Sequence, residues 1–281
     1  MVDQSLPTID YRSVHAPQAI AHSLQDSGFA ILSHSPIDHP LIERTYRDWL
    51  AFFLSEDKVQ YRFDPKVQAG YFPLQTETAK GYTTPDLKEF FHIYEGHSLP
   101  QGMSQATWDL FNQLRHLATE LLEWIEAQAP PHIHANFTEP LDAMIADSKE
   151  TLFRLLHYPP LPDTIPPGAV RAAAHEDINL ITLLPAATGM GLELLDSEGQ
   201  WQSVTCDRGD IVVNVGDMLQ LASQGFYRST THRVVNPDGP ARHQSRLSMP
   251  LFLHPRPEVV LAEGKTARQY LQERLQEIGL V

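Results

Sequence analysis

In the stretch AAAHEDINLITLL, residues 172–184, an imidazole (His175) and a carboxylate (Asp177) stand two residues apart. On an extended chain such residues share a face, so Glu176 between them points the other way. The pair can offer two donor atoms to one metal ion, but a polar strand at the rim of a sheet would look the same. A third donor of suitable type is His232, set in the β-branched run STTHRVV. Two histidines and one carboxylate, meeting on one face of an octahedron, leave three positions open. That donor set suits ferrous iron and the activation of dioxygen.

Such chemistry needs two further electrons, often drawn from an oxoacid, whose carboxylate would call for a buried cation with a planar fork. Arg246 and Ser248 in SRLSMPLFLH, again two apart, could supply a charge-assisted pair and a hydroxyl. Other constellations are poorer. His132 and His134 in PPHIHANF sit beside two prolines with no third ligand nearby, which reads as loop. HED lacks the second histidine of an HExxH helix, and no phosphate-binding glycine motif or GxSxG turn occurs.

The elements that must position these residues divide near residue 150. Before it, helices are expected at residues 17–28, closed by Gly28, at 40–55, and at 108–128, where apolar residues recur at helical spacing. LPTIDY and FAILSHS read as short strands, and residues 64–100 as irregular. After it come short strands punctuated by turn residues: TLFRLLHY, RAAAHEDINLITLL, GLELLD, WQSVTC, DIVVNV, MLQLAS, STTHRVV and SRLSMPLFLH. Together these give a mainly β chain with flanking helices, its strands suited to a sandwich, barrel or jelly roll. TARQYLQERLQEIGL forms a closing helix, with Thr266 and Gln269 as a capping box and Tyr270, Leu271, Leu275 and Ile278 on its apolar side.

Composition bounds the partners. The 281 residues carry 21 basic and 35 acidic side chains, a formal charge of −14, which excludes a basic nucleic-acid surface. No apolar run is long enough to span a membrane. The acidic opening MVDQSLPTIDY has no basic-then-apolar signal pattern, and Cys206 is the only cysteine, so a cytoplasmic location is expected. Nothing in the sequence calls for an obligate protein partner.

Taken in order, HED, then NVGDMLQLASQGFYRSTTHRVVN, then RLSMPLF resembles the isopenicillin N synthase-like family of Fe(II)- and 2-oxoglutarate-dependent oxygenases. LPTIDY, GFAILSH and RLLHYPPLP extend the resemblance over nearly the whole chain. It implies one oxygenase domain over residues 1–281, with a mainly helical region at 1–150. A double-stranded β-helix (jelly roll) core would follow at 151–255, and a C-terminal helix at 264–281. It further implies that His175, Asp177 and His232 bind Fe(II), and that Arg246, Ser248 and Tyr158 bind 2-oxoglutarate. Phe252 would line the substrate pocket.

The expected reaction is oxidation of a C–H bond in a small organic molecule by O2, releasing succinate and CO2. Strand parity adds Arg171 and Asn179 to the substrate candidates, and Phe91 joins them from the irregular segment. In this chain Glu176 stands where many relatives have Thr, and Leu156-His157-Tyr158-Pro159 replaces an Asn-Tyr-Tyr-Pro stretch. Three alternatives remain at this stage: a 2-oxoglutarate-independent iron oxidase, a zinc hydrolase, and a non-catalytic jelly-roll binding module.

Overall fold

The computed structural model describes residues 6–78, 81–262 and 264–277. The opening Met1–Ser5 and Ile278 of the expected closing helix lie outside them.

In chain order the first half contains β1 (Thr8–Asp10), α1 (Ala16–Ser27), β2 (Phe29–Ser33), α2 (His39–Leu54), β3 (Gly70–Phe72), β4 (Glu89–Tyr94) and α3 (Ala106–Ala127). Two short helical pieces, α4 (Pro131–His134) and α5 (Leu141–Ile145), lead into β5 (Leu152–Tyr158). Then follow β6 (Ala172–His175), β7 (Ile181–Pro185), β8 (Leu192–Leu195), β9 (Trp201–Ser203), β10 (Ile211–Val215), α6 (Asp217–Ala222) and β11 (His232–Val234). The chain ends with β12 (Arg246–Ser248), β13 (Leu251–Leu253), β14 (Val260–Ala262), β15 (Lys265–Thr266) and α7 (Ala267–Glu277).

The larger sheet runs β1-β2-β10-β7-β13-β5-β4-β3, with β12 also paired to β5. The smaller one runs β6-β11-β8-β9 and faces it. These two sheets form the jelly roll. Alternation along the strands gives the larger sheet two apolar faces. On the outer face Phe153, Leu155, Leu183, Val213 and Leu251 pack against the helices. Trp49 of α2 is fully buried there, 5.1 Å from the Phe91 ring, with its indole N–H donated to Thr107 of α3 at 3.0 Å. On the inner face Phe29, Ile31, Leu156, Tyr158, Leu184 and Val212 meet Ala172, Leu192, Leu194 and Val234 of the smaller sheet. The metal-ligand candidates sit at the edge of this inner layer.

The helices expected from periodicity are present, and their ends have local causes. Gly28 closes α1 at φ 74°, where its N–H is donated to the Leu24 carbonyl. At the C-terminus the Thr266 N–H is donated to the Gln269 side chain and the Gln269 N–H back to the Thr266 hydroxyl, the reciprocal cap expected from sequence.

Several expectations are corrected. Residues 64–100 contain β3 and β4, which extend the larger sheet, so the first half contributes four of its strands. PPHIHANF holds one helical turn, α4. SRLSMPLFLH splits at Met249-Pro250 into β12 and β13, because proline cannot donate to a ladder. MLQLAS is helix, not strand. Six residues with apolar side chains at both two- and three-residue intervals fit either period.

The most consequential correction concerns RAAAHEDINLITLL, which is two strands in different sheets. β6 ends at His175, the chain crosses the inner layer, and β7 begins at Ile181. The crossing backbone is satisfied by the start of α6, whose first N–H groups have no partner within the helix. Asp217 donates to the Asp177 carbonyl at 2.7 Å and Met218 to that of Asn179 at 3.1 Å. The helix misread as a strand is therefore what allows the ligand-bearing strand to break.

Candidate metal and oxoacid site

His232 lies directly across from His175 in the β11–β6 pairing, which sets the two rings 4.5 Å apart. Asp177, two residues on in the crossing segment, completes the group. Its Oδ1 is 3.9 Å from His175 Nε2 and 3.7 Å from His232 Nε2. One ligand atom from each of the three residues lies within 4.8 Å of the others.

Each donor atom is oriented from behind. His175 Nδ1 donates to the Ala173 carbonyl at 2.8 Å, and His232 Nδ1 to that of Thr230 at 3.0 Å. Both Nε2 lone pairs are thereby turned to a common point. Asp177 accepts from the Thr182 hydroxyl at 2.6 Å and the Asn214 amide at 2.8 Å, both on Oδ2, which frees Oδ1 toward the imidazoles. Phe29 meets the His232 ring edge-on at 5.4 Å and closes the apolar side. Three neutral-or-anionic donors aimed at one point fit a divalent cation, and the N2O set fits ferrous iron.

Electrostatics point the same way. Partial burial, aided by the second imidazole, lowers His175 below its ordinary value, so it is neutral and available as a ligand near pH 7. Burial alone would raise the Asp177 carboxyl. The two imidazoles and the Thr182 and Asn214 hydrogen bonds outweigh it and lower the group below its ordinary range. Glu176 is exposed, as parity requires, and accepts from the Thr231 hydroxyl at 2.7 Å.

Further along the inner face, Arg246 pairs in register with Tyr158, and Ser248 with Leu156. Arg246 is 3% exposed and donates its Nε to the Gly189 carbonyl at 2.8 Å, while its guanidinium carbon stands 5.1 Å from the Tyr158 ring. Its Nη1 is buried with no partner among the described residues. A buried guanidinium with an unused donor fits a carboxylate such as the distal one of 2-oxoglutarate.

The remaining candidates divide. Phe252 is on the inner face and pairs with Thr182, the residue that holds Asp177. Phe91 faces the other way, into the helices beside Trp49, because parity on β4 gives the inner face to Phe90 and His92. It is a packing residue. Asn179 does not follow the parity of β6, since the strand has ended. It is fully buried and spends its amide on the Ile181 carbonyl (2.8 Å) and the Thr182 hydroxyl (3.0 Å), so it braces the hydroxyl that holds Asp177. Arg171 is on the inner face at 2% exposure, with its guanidinium carbon 5.9 Å from the Tyr158 ring.

The sequence reading missed Thr182 and Asn214, whose roles depend on the β10–β7 register. It also missed a polar wall beside Phe252. Arg154 donates its Nε to His92 at 2.8 Å, pairs with Glu77 at 3.4 Å, and lies 4.8 and 5.5 Å from the Phe90 and Phe252 rings. Lys88 pairs with Glu77 and Asp86, and Asp86 accepts the Ala173 N–H next to the metal-ligand strand. Two cations and two anions leave this wall balanced. His254 adds an imidazole beside the Phe252 backbone. A separate groove of about 590 Å³ between α1 and β8 touches none of these residues.

Comparison with known proteins gives a consistent result. Residues 149–255 match the sequence profile of the 2OG-Fe(II) oxygenase superfamily. Residues 6–113 match the profile described as non-haem dioxygenase in morphine synthesis N-terminal. A Shewanella oneidensis protein inferred to be an oxygenase has a crystal structure with 46% identity and a TM-score of 0.89, covering 99% of this chain and 100% of that one. A full-length Neurospora crassa protein, crystallised with alpha-KG and thymine, shows 25% identity and a TM-score of 0.81 over 98% of each chain. Among curated relatives, the 2-oxoglutarate-dependent dioxygenase citB of Monascus ruber is 28% identical over 239 residues, 74% of this chain and 70% of that one.

Two outcomes follow from the geometry. Thr182→Val removes one hydrogen bond from Asp177 and strands an Asn179 donor. Fe(II) affinity, measured by anaerobic titration, should fall about 10-fold or more, with a stability loss of roughly 1–3 kcal/mol in urea unfolding. His254, held down to about 4 by burial against 6.5 when unfolded, binds its proton later in the folded chain. Its contribution is intact above pH 6.5 and lost as pH falls toward 4, so metal-free stability should decline over that window. The decline should be shallower in His254→Gln.

Proposed function

We propose, taking as premise that this chain belongs to the 2OG-Fe(II) oxygenase superfamily, that His175, Asp177 and His232 hold its Fe(II) and that Arg246, Ser248 and Tyr158 hold its 2-oxoglutarate. The enzyme is a 2-oxoglutarate-dependent dioxygenase, an oxidoreductase acting on a small molecule. The observation carrying the residue assignment is the meeting of three back-braced donors from β6, the crossing segment and β11.

When bound, Fe(II) and 2-oxoglutarate supply the activation of dioxygen that oxidises a substrate C–H bond, with release of succinate and CO2. The chain's residues bind, orient and exclude. With Fe(II) held there, Asp177 would offset one of its two positive charges and imidazole ligands none, so the loaded site would keep a net attraction for an anionic chelating oxoacid. Arg246 fixes the far end of that oxoacid through the donor it leaves unpaired, and Ser248 adds a hydroxyl on the same face. Phe29, Leu184 and Val212 keep the inner layer dry.

The substrate lies against Phe252 and the Arg154 wall. A flat ring and a guanidinium favour a small polar molecule with one apolar or planar face. Thymine bound to the Neurospora relative is of this type. The whole chain works as one oxygenase domain, since strands from its first half complete the sheet that carries Tyr158, Arg246, Ser248 and Phe252. Among the described residues no helix is long and apolar enough to cross a membrane, and a cytoplasmic enzyme without an obligate protein partner agrees with the single free cysteine and acidic charge.

The test is stepwise anaerobic titration of the metal-free protein with Fe(II) and then 2-oxoglutarate, followed by oxygen. The native chain should develop a visible charge-transfer band and release succinate. Asp177→Ala should lose the band and the turnover. Succinate release by Asp177→Ala at the native rate, or none by the native chain, would refute the assignment.

A further inference from the structure

Arg171 is among the largest fully buried side chains, yet its charge has no counterion among the described residues. Its one hydrogen bond runs from Nη2 to the Gln244 carbonyl at 3.2 Å, and its Nε is buried without a partner. A guanidinium buried in this way is unfavourable unless something anionic joins it. The pattern differs from that of Arg154, whose charge is answered by Glu77.

Arg171 is placed next to Arg246. Both guanidinium groups lie over the Tyr158 ring, at 5.9 and 5.1 Å, and the carbonyl that Arg171 touches is two residues before Arg246. Arg246 also buries an unpaired nitrogen, so one corner of the inner layer holds two cations and no anion among the described residues. Burial, reinforced by the like charge of Arg246, brings Arg171 down to about 10, and an anion between the two would relieve both causes.

Position decides which anion. β5 runs from Leu152 at the substrate wall to Tyr158 at this corner, and Arg154 and Tyr158 are four residues apart, roughly 13 Å. Arg171 likewise precedes His175 by four residues, immediately before β6 of the facing sheet. The corner is thus remote from Phe252 and level with Arg246, where a co-substrate chelating at the triad would place its far end.

We infer that Arg171 and Arg246 form a two-arginine clamp on the distal carboxylate of 2-oxoglutarate, making Arg171 a co-substrate-binding residue that selects dicarboxylic oxoacids. This rests on the reading of the triad and Arg246 given above. A point charge such as lysine would supply attraction without the planar fork.

The test is anaerobic calorimetric titration of the Fe(II)-loaded protein with 2-oxoglutarate and with 2-oxopentanoate, which lacks the distal carboxylate. Arg171→Met should weaken 2-oxoglutarate at least 10-fold, leave 2-oxopentanoate within about twofold, and leave Fe(II) binding unchanged. Arg171→Lys should recover part of the loss. Because an unpaired buried charge is removed, the metal-free Arg171→Met protein should melt no lower than the native one. Native 2-oxoglutarate affinity in Arg171→Met would overturn the inference, as would equal losses for both acids or a lowered melting temperature in both variants. If the native protein bound no 2-oxoglutarate, the reading of the whole site would fall and this inference with it.

Discussion

The structure turns on one buried carboxylate. Asp177 sits 6% exposed between two imidazoles, with one oxygen held by Thr182 and Asn214 and the other left for a cation. A carboxylate in an apolar layer is tolerated only if it is hydrogen-bonded and electrostatically answered. Meeting that condition explains much around it. The chain leaves β6 directly after His175 so that Asp177 can turn inward. The break exposes backbone carbonyls, to which the first N–H groups of α6 donate. Asn179, next in line, braces Thr182, and any Cβ at Gly216 would collide with the Asn179 backbone and amide oxygen.

Charge along the inner layer then falls into three zones. At the triad one carboxylate faces two imidazoles. The substrate wall is internally balanced, Arg154 and Lys88 against Glu77 and Asp86. The deep corner around Tyr158 carries two arginines with no acid among the described residues. On the proposed assignment, this charge pattern would draw a cation to the triad, a dianionic oxoacid between triad and corner, and a polar substrate to the neutral wall.

Much of this was legible in the sequence where local periodicity or chemistry sufficed. Helices α1, α2 and α3 announced themselves through apolar spacing, and Gly28 and the Thr266–Gln269 cap through residue type. His175, Asp177, His232 and Arg246 were picked out because few residue types can ligate iron or grip a carboxylate. What escaped depends on pairing between distant strands. Thr182 and Asn214 matter only because β7 and β10 pair in one register. Phe91 was chosen over Phe90 because parity cannot be assigned before a strand is known to exist. Asn179 was misjudged by extending parity past the point where the Asp177 crossing ends it.

The central claim is that the three donors and Arg246 together form one iron and oxoacid site. Its most direct test is a crystal structure of the protein loaded anaerobically with Fe(II) and 2-oxoglutarate, with anomalous data at the iron edge. A single peak should lie about 2.1 Å from His175 Nε2, Asp177 Oδ1 and His232 Nε2, with the oxoacid reaching from it to Arg246. Iron at any other side-chain cluster, or a bound oxoacid that leaves Arg246 unpaired, would contradict the account.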